Sequence, residues 1–275
     1  TKKTPKFGLF KNKVANKNCF VLDFHGDIKA TEVQQLREEI STLLTVAQAE
    51  DEVIVRLESS GGMVHAYGLA AAQLARIKEA GLHLTVCIDK VAASGGYMMA
   101  CVADKILAAP FAVVGSIGVV AQVPNFHDLL EKHDIDVEVF TAGKYKRTVT
   151  VFGENTEEDK QKFQQELEET HKLFKDFVRK YRPSLDVEQV ATGEHWYGED
   201  AITRNLVDAL QTSDSYILEK MTDSELYAIQ SRQKPTIAQK LGISQAAQAV
   251  VATAIDKLPD ALAKLESAKM PMVKK

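Results

Sequence analysis

The chain has 275 residues, 45% hydrophobic and 26% charged. That excludes collagen-like, low-complexity and wholly disordered classes, and a chain of this size builds a core without disulfide staples. With 34 Lys+Arg against 38 Asp+Glu the net charge is −4, so no global field favours nucleic acid or an acidic membrane surface.

Residues 1–18 carry Lys2, Lys3, Lys6, Lys11, Lys13 and Lys17 before any acid and read as a basic, solvated linker. The first residue is Thr, and the expectation is that an anchor preceded this linker. Cys19–Phe24 is a short apolar run ended by His25, Gly26 and Asp27, hence a strand. The stripe Val33, Leu36, Ile40, Leu43, Leu44, Ala47 predicts a helix. Val53–Leu57 reads as strand, Glu58–Gly62 as a tight loop, and Val64 to Lys78 as helix. His83–Ile88 is the next strand, and Val91–Ser94 leads into a short helix with Gly95, Gly96, Tyr97 and Met98.

Ile106 to His127 is uncharged and long, but Pro110, Gly115, Gly118 and Pro124 interrupt it. It therefore reads as short buried strands (Lys105–Ala108, Val113–Ala121) rather than a membrane span. Phe126–Lys132 predicts a helix and Asp136–Phe140 a strand. Thr156 and Asp159 make an approximate capping box for a long helix with the stripe Phe163, Leu167, Phe174, Phe177, Tyr181, stopped at Arg182-Pro183. A small helical region over 193–208 follows, then an Ala-rich amphipathic stretch over 243–265 that Pro259 breaks.

Alternating strand and helix predict an α/β fold with a mostly parallel sheet and crossover helices, plus a C-terminal helical region. In such sheets the loops at the carboxyl ends of the strands hold the site. Cys19, Cys87 and Cys101 are odd in number, widely spaced and set in apolar runs, so they read as buried free thiols. No Cys/His spacing suits zinc.

Two glycine-bearing loops stand at strand-to-helix turns. In Ala92-Ala93-Ser94-Gly95-Gly96-Tyr97 the serine sits above the sheet edge. The Gly95 N–H that follows opens a helix, where donors are unpaired and the dipole favours negative charge. These are the needs of a serine nucleophile with an oxyanion donor. Ser59-Ser60-Gly61-Gly62 can aim a second N–H into the same crevice. Neither loop matches a phosphate-binding motif. Of seven histidines none lies in a loop that sequence places beside Ser94. His127 is the best candidate base among them, on an expected surface helix. Lys146 in Gly143-Lys144-Tyr145-Lys146 is the other candidate. A lysine, ordinarily near pKa 10.4, becomes a base at neutral pH only when desolvation lowers it.

The segments LESSGGMVHAYG (57–68), DKVAASGGYMMACVADKI (89–106), VGSIGV (114–119), GKYKRT (143–148) and TGEHWYGEDA with LVD (192–208) together resemble the signal peptide peptidase A family of serine proteases, peptidase family S49. The likeness runs from about Val21 to Asp208. It implies a ClpP/crotonase-like fold and peptide-bond cleavage by a Ser–Lys dyad. It puts the nucleophile on Ser94, the base on Lys146 rather than Lys144, and a lysine-orienting hydroxyl on Ser116. It puts oxyanion donors on Gly62 and Gly95. It further implies peptide or protein substrates, hydrophobic and membrane-derived, such as remnant signal peptides. No metal or organic cofactor is implied, and no nucleic acid. A homo-oligomer is implied, attached to the bacterial inner membrane through an N-terminal anchor, with a periplasmic catalytic domain. The expected layout is a linker over 1–18, the protease domain over 19–212, and a helical, oligomerising segment over 213–275. Two positions depart from the family pattern: Ser60 where Pro is usual, and Asn205 where Gly often precedes Leu-Val-Asp. The rival readings are a crotonase-type acyl-CoA hydratase or isomerase and an inactive peptide-binding scaffold.

Overall fold

The computed structural model describes residues 17–231. In chain order the elements are β1 (Asn18–Gly26), α1 (Val33–Leu43), β2 (Glu52–Ser59), α2 (Val64–Glu79), β3 (His83–Ile88), β4 (Val91–Ala93), α3 (Gly95–Ala100), β5 (Lys105–Ala108) and β6 (Val113–Gly115). There follow α4 (His127–Glu131), α5 (Glu157–Tyr181), α6 (Val187–Val190), β7 (His195–Tyr197), α7 (Gly198–Thr203), β8 (Ala209–Leu210), α8 (Ser213–Lys220) and β9 (Glu225–Ala228).

Among the described residues the strands form one sheet, parallel throughout except where β7 pairs antiparallel with β6. The α/β reading with a mostly parallel sheet therefore holds. Its central strand, β2, is shared: its first part lies between β1 and β3, while its last residue, Ser59, pairs with Ala92 of β4. The sheet continues from β4 to β6. Three parallel strands, β2, β4 and β6, thus end side by side. β2 buries Val53, Ile54, Val55 and Leu57, residues of both faces, as a covered parallel strand does. Leu36, Ile40, Leu43, Tyr67, Leu74 and Ile77 from α1 and α2 fill the main core against it. The Thr156–Asp159 capping box is present on α5.

Four expectations need correction. Residues 213–231 are not a separate helical segment, because α8 packs Tyr216 on the far face of the sheet and β9 pairs with β1. The region 193–208 contains a strand, β7, as well as helix. β6 stops at Gly115 rather than running to Ala121, because its last residue, Gly115, at φ +103°, and then Ser116, at φ +53°, turn the chain out of the extended conformation. Asp136–Phe140 has strand-like alternation but no partner strand among the described residues, so no ladder forms. The basic run over 1–16 and the Ala-rich stretch over 243–265 lie outside the described residues.

Two polar clusters tie these layers together. Glu52 accepts from Thr85 Oγ1 at 2.6 Å and Tyr216 Oη at 2.7 Å and pairs with Lys220, joining α8 to the sheet. Burial alone would raise the Glu52 carboxyl, but the hydrogen bonds from Lys220, Thr85 and Tyr216 outweigh it and hold it below the usual carboxylate range. Arg182, almost fully buried at the end of α5, makes a two-pronged contact with Asp208 at 2.7 and 2.9 Å and donates to the Asn205 carbonyl. Asp208 also accepts the Ile106 N–H at 2.7 Å, and Tyr97 Oη donates to the Leu206 carbonyl at 2.9 Å. The 204–208 turn is thereby fastened to α5, β5 and α3. Asn205 occupies the left-handed conformation at φ +58°, which asparagine tolerates nearly as well as glycine.

Two outcomes follow. Arg182→Leu leaves Asp208 uncompensated and should cost about 3 kcal/mol in urea unfolding. Because the Glu52 pKa is lowered on folding, its stabilisation is present above the unfolded value of about 4.3 and is lost as pH falls through the folded value. Glu52→Gln should therefore flatten the acid side of a curve of urea midpoint against pH.

Candidate active site

The three strand ends converge on one cavity of about 850 Å³. From β2 come Ser60, Gly61 and Gly62, from β4 Ser94, and from β6 Ser116 and Gly118; Ile28, Met63, Val64, Val119 and Val120 supply apolar wall. His171 and Thr192 complete the rim together with Gly193.

Ser94 stands between β4 and α3 at φ +53°, ψ −119°, a conformation left almost wholly to glycine. Its N–H donates to the Gly115 carbonyl at 2.8 Å and its carbonyl accepts from Met98. The strain is held by neighbours with no slack. A Cβ on Gly61, itself at φ +89°, would lie 2.7 Å from Gly95 N and 2.8 Å from the Ala93 carbonyl. A Cβ on Gly95 would overlap the Tyr67 ring, one on Gly96 the Ser59 carbonyl, and one on Gly62 the Ile28 carbonyl. The glycines are there because backbone meets backbone.

The Gly61–Gly62 turn keeps its shape without proline. Ser59 Oγ accepts the Gly61 N–H at 3.1 Å, and Met63 N–H donates to the Ile28 carbonyl at 2.8 Å. Gly61 takes the positive φ that the third position of a type II turn requires, with Ser60 where proline would serve. Ser116, at φ +53°, is fixed by its N–H to the Glu194 carbonyl, and Gly193 N–H donates to the Ile117 carbonyl at 3.2 Å.

Ser94, Ser116 and Gly62 therefore share one cavity, with Gly95 buried at the start of α3 directly after Ser94. Lys146 does not join them within the described chain: it is exposed and is not part of the cavity lining. Its N–H bonds only to the nearby Gly143 carbonyl. Lys144 is held by Glu158 at 2.9 Å, an ion pair that raises its pKa. His127 lies on α4 beside Asp128, away from the cavity lining.

Sequence reasoning missed His171. It lines the cavity from α5, with Nε2 3.3 Å from the Ile117 carbonyl. His171 falls four residues after Leu167 and three before Phe174, so in sequence it reads as one more position on the apolar stripe of α5. The three cysteines are buried and free, and burial pushes the Cys19 and Cys87 thiols up to about 12. Among the described residues no cluster of three or more His, Cys, Asp or Glu could hold a metal, and no helix is long and apolar enough to cross a membrane.

Relief of the strained turn is measurable. Ser94→Gly exchanges a strained φ for added chain entropy, and the gain should exceed the loss by about 1 kcal/mol. The thermal midpoint should rise by about 2–4 °C in differential scanning calorimetry.

A family model described as Peptidase family S49 matches residues 76–227, and one described as Peptidase family S49 N-terminal matches residues 1–74. Curated relatives at 52–65% identity carry the name probable or putative protease SohB. The chain is 65% identical over 223 residues to the probable protease SohB of Haemophilus influenzae, covering 81% of this chain and 63% of that protein. It is 58% identical over 222 residues to the probable protease SohB of Buchnera aphidicola subsp. Acyrthosiphon pisum, covering 81% and 66%. The chain thus spans somewhat under two thirds of the length of these relatives. Among solved structures, a mutant of the 1510-N membrane-bound stomatin-specific protease matches with a TM-score of 0.52 at 12% identity, over 80% of this chain and all of that one. That likeness confirms the ClpP-like α/β fold. With both family models matched across residues 1–74 and 76–227, this chain belongs to peptidase family S49.

Proposed function

We propose that the protein is a serine endopeptidase in which Ser94 is the nucleophile and Lys146 the general base. The observation that carries this reading is the meeting of Ser94, the Gly61–Gly62 turn and Ser116 on one cavity at the ends of three parallel strands. Ser94 Oγ attacks the scissile carbonyl carbon. Lys146 takes the hydroxyl proton and returns it to the leaving amine, so the first step yields an acyl-serine and a free amine. The Gly62 and Gly95 N–H groups receive the oxyanion, and Ser116 Oγ orients the lysine amine. Water then releases the acid. The apolar wall of Ile28, Met63, Val64, Val119 and Val120 favours hydrophobic, membrane-derived peptides such as remnant signal peptides.

A base of this kind must be desolvated, whereas Lys146 is exposed in the single chain. We therefore assign the missing cover to a second copy in a homo-oligomer. Segment 120–152 supports this: Val120 is 91% and Phe140 88% exposed, with Phe126, Leu129, Ile135, Val139, Tyr145 and Phe152 also open. Apolar exposure on this scale marks an interaction surface. We place the assembled enzyme at the bacterial inner membrane, its catalytic domain on the periplasmic side, on the strength of the family resemblance.

Ser94→Ala should abolish cleavage of a quenched-fluorescent leucine-rich peptide while changing stability by less than about 1 kcal/mol. Lys146→Ala should be equally inactive and Lys144→Ala substantially active. Specific activity should fall on dilution in step with dissociation seen by light scattering. Full activity of Lys146→Ala, or of a monomer, contradicts the assignment of the base.

A further inference from the structure

We propose that Tyr67 is a positioning residue that holds both halves of the oxyanion pocket in register, through its hydroxyl on one loop and its ring on the other. The inference rests on the reading of Ser94 as nucleophile. Tyr67 lies on α2, fully buried. Its hydroxyl is hydrogen-bonded to Ser59 Oγ and lies 2.8 Å from the Asp27 carbonyl oxygen, while Ser59 Oγ lies 3.1 Å from Gly61 N.

The ends of this series fix its direction. Gly61 N–H can only donate and the Asp27 carbonyl can only accept, and the Gly26 carbonyl, 3.4 Å from Ser59 Oγ, is too far to compete with Tyr67 Oη for the serine proton. The chain therefore runs Gly61 N–H to Ser59 Oγ–H to Tyr67 Oη–H to Asp27 carbonyl, each hydroxyl accepting one bond and donating the next. Aligned chains of this kind strengthen one another in a low-dielectric interior. Burial pushes the Tyr67 phenol above its ordinary range, so it keeps the proton the chain requires.

The same side chain reaches the second loop. Its ring lies against Gly95 so closely that a Cβ there would overlap Cγ. The ring therefore limits how far the start of α3 can sink, while the hydroxyl fixes how far Gly61 can rise. On the next residues the Ile28 carbonyl takes the Met63 N–H, so the 27–28 and 61–63 backbones are clamped at two points. The stiffness that proline would bring to position 60 comes here from the side chains of Ser59 and Tyr67.

Tyr67→Phe keeps the ring and breaks the hydrogen-bond chain. With a quenched-fluorescent leucine-rich peptide as substrate we expect kcat to fall about 10- to 100-fold, as a small misplacement of a donor does, with KM within about twofold. Inhibition by a peptide aldehyde ending in leucinal, which mimics the tetrahedral adduct, should weaken by the factor lost from kcat/KM. Ser59→Ala should behave alike, and the double variant should be no worse than the poorer single one, because both break one chain. A Tyr67→Phe enzyme with wild-type kcat and aldehyde affinity overturns the proposal. So does additive loss in the double variant, or a loss that parallels a lowered thermal midpoint and disappears on cooling. Undiminished cleavage by Ser94→Ala would instead overturn the reading beneath it.

Discussion

Everything at this site depends on one close approach of backbone to backbone. β2 and β4 pair through a single rung, Ser59 to Ala92, and their following turns then run so near that Gly61, Gly95 and Gly96 leave no room for side chains. Ser94, between them, is forced to positive φ. Such a turn costs about 1–3 kcal/mol and persists only where the surroundings over-determine it. Here they do so from below: α3 is buried along its whole length, Tyr97 is tied to the Leu206 carbonyl, and Arg182 and Asp208 lock the turn that carries Leu206.

The chemistry proposed for the cavity follows from the same constraint. The strained turn sets Ser94 on the cavity, and the next residue, Gly95, opens α3; in the proposed chemistry these give the nucleophile and one oxyanion donor. The glycine turn after the adjacent strand lines the same cavity and is the proposed source of the second donor. Rigid donors gain most in a dry site, since water is not there to compete and nothing reorganises during the reaction. On the proposed reading, the exposed Lys146 marks what a single chain lacks. Neutralising an amine takes burial, and the apolar residues around it are the surface that a covering partner would bury.

Local pattern gave most of the strands and helices, because hydrophobic period and capping chemistry are written residue by residue. Thr156 and Asp159 announced α5, and Asn205 announced a left-handed turn. Position 136–140 shows where local pattern stops: alternation makes a strand possible, but a ladder needs a neighbour that sequence spacing does not name. β9 was missed for the converse reason, as Glu225–Ala228 has little pattern of its own and is a strand because β1 offers an edge. At the site, Ser94 and the Gly61–Gly62 turn were readable from local pattern, while Ser116 came only from the family resemblance. His171 and Tyr67 were not, because each reads as one more helix position until the fold turns that face towards the cavity.

The central claim is that Ser94 is an activated nucleophile in this cavity. The most direct measurement is covalent labelling of the intact protein with a β-lactone or fluorophosphonate probe bearing an apolar tail, with the adduct located by tandem mass spectrometry. The account predicts a single adduct on Ser94, absent from Ser94→Ala and blocked by the peptide aldehyde. An adduct on another residue with Ser94 untouched, in protein that cleaves the peptide, would contradict it.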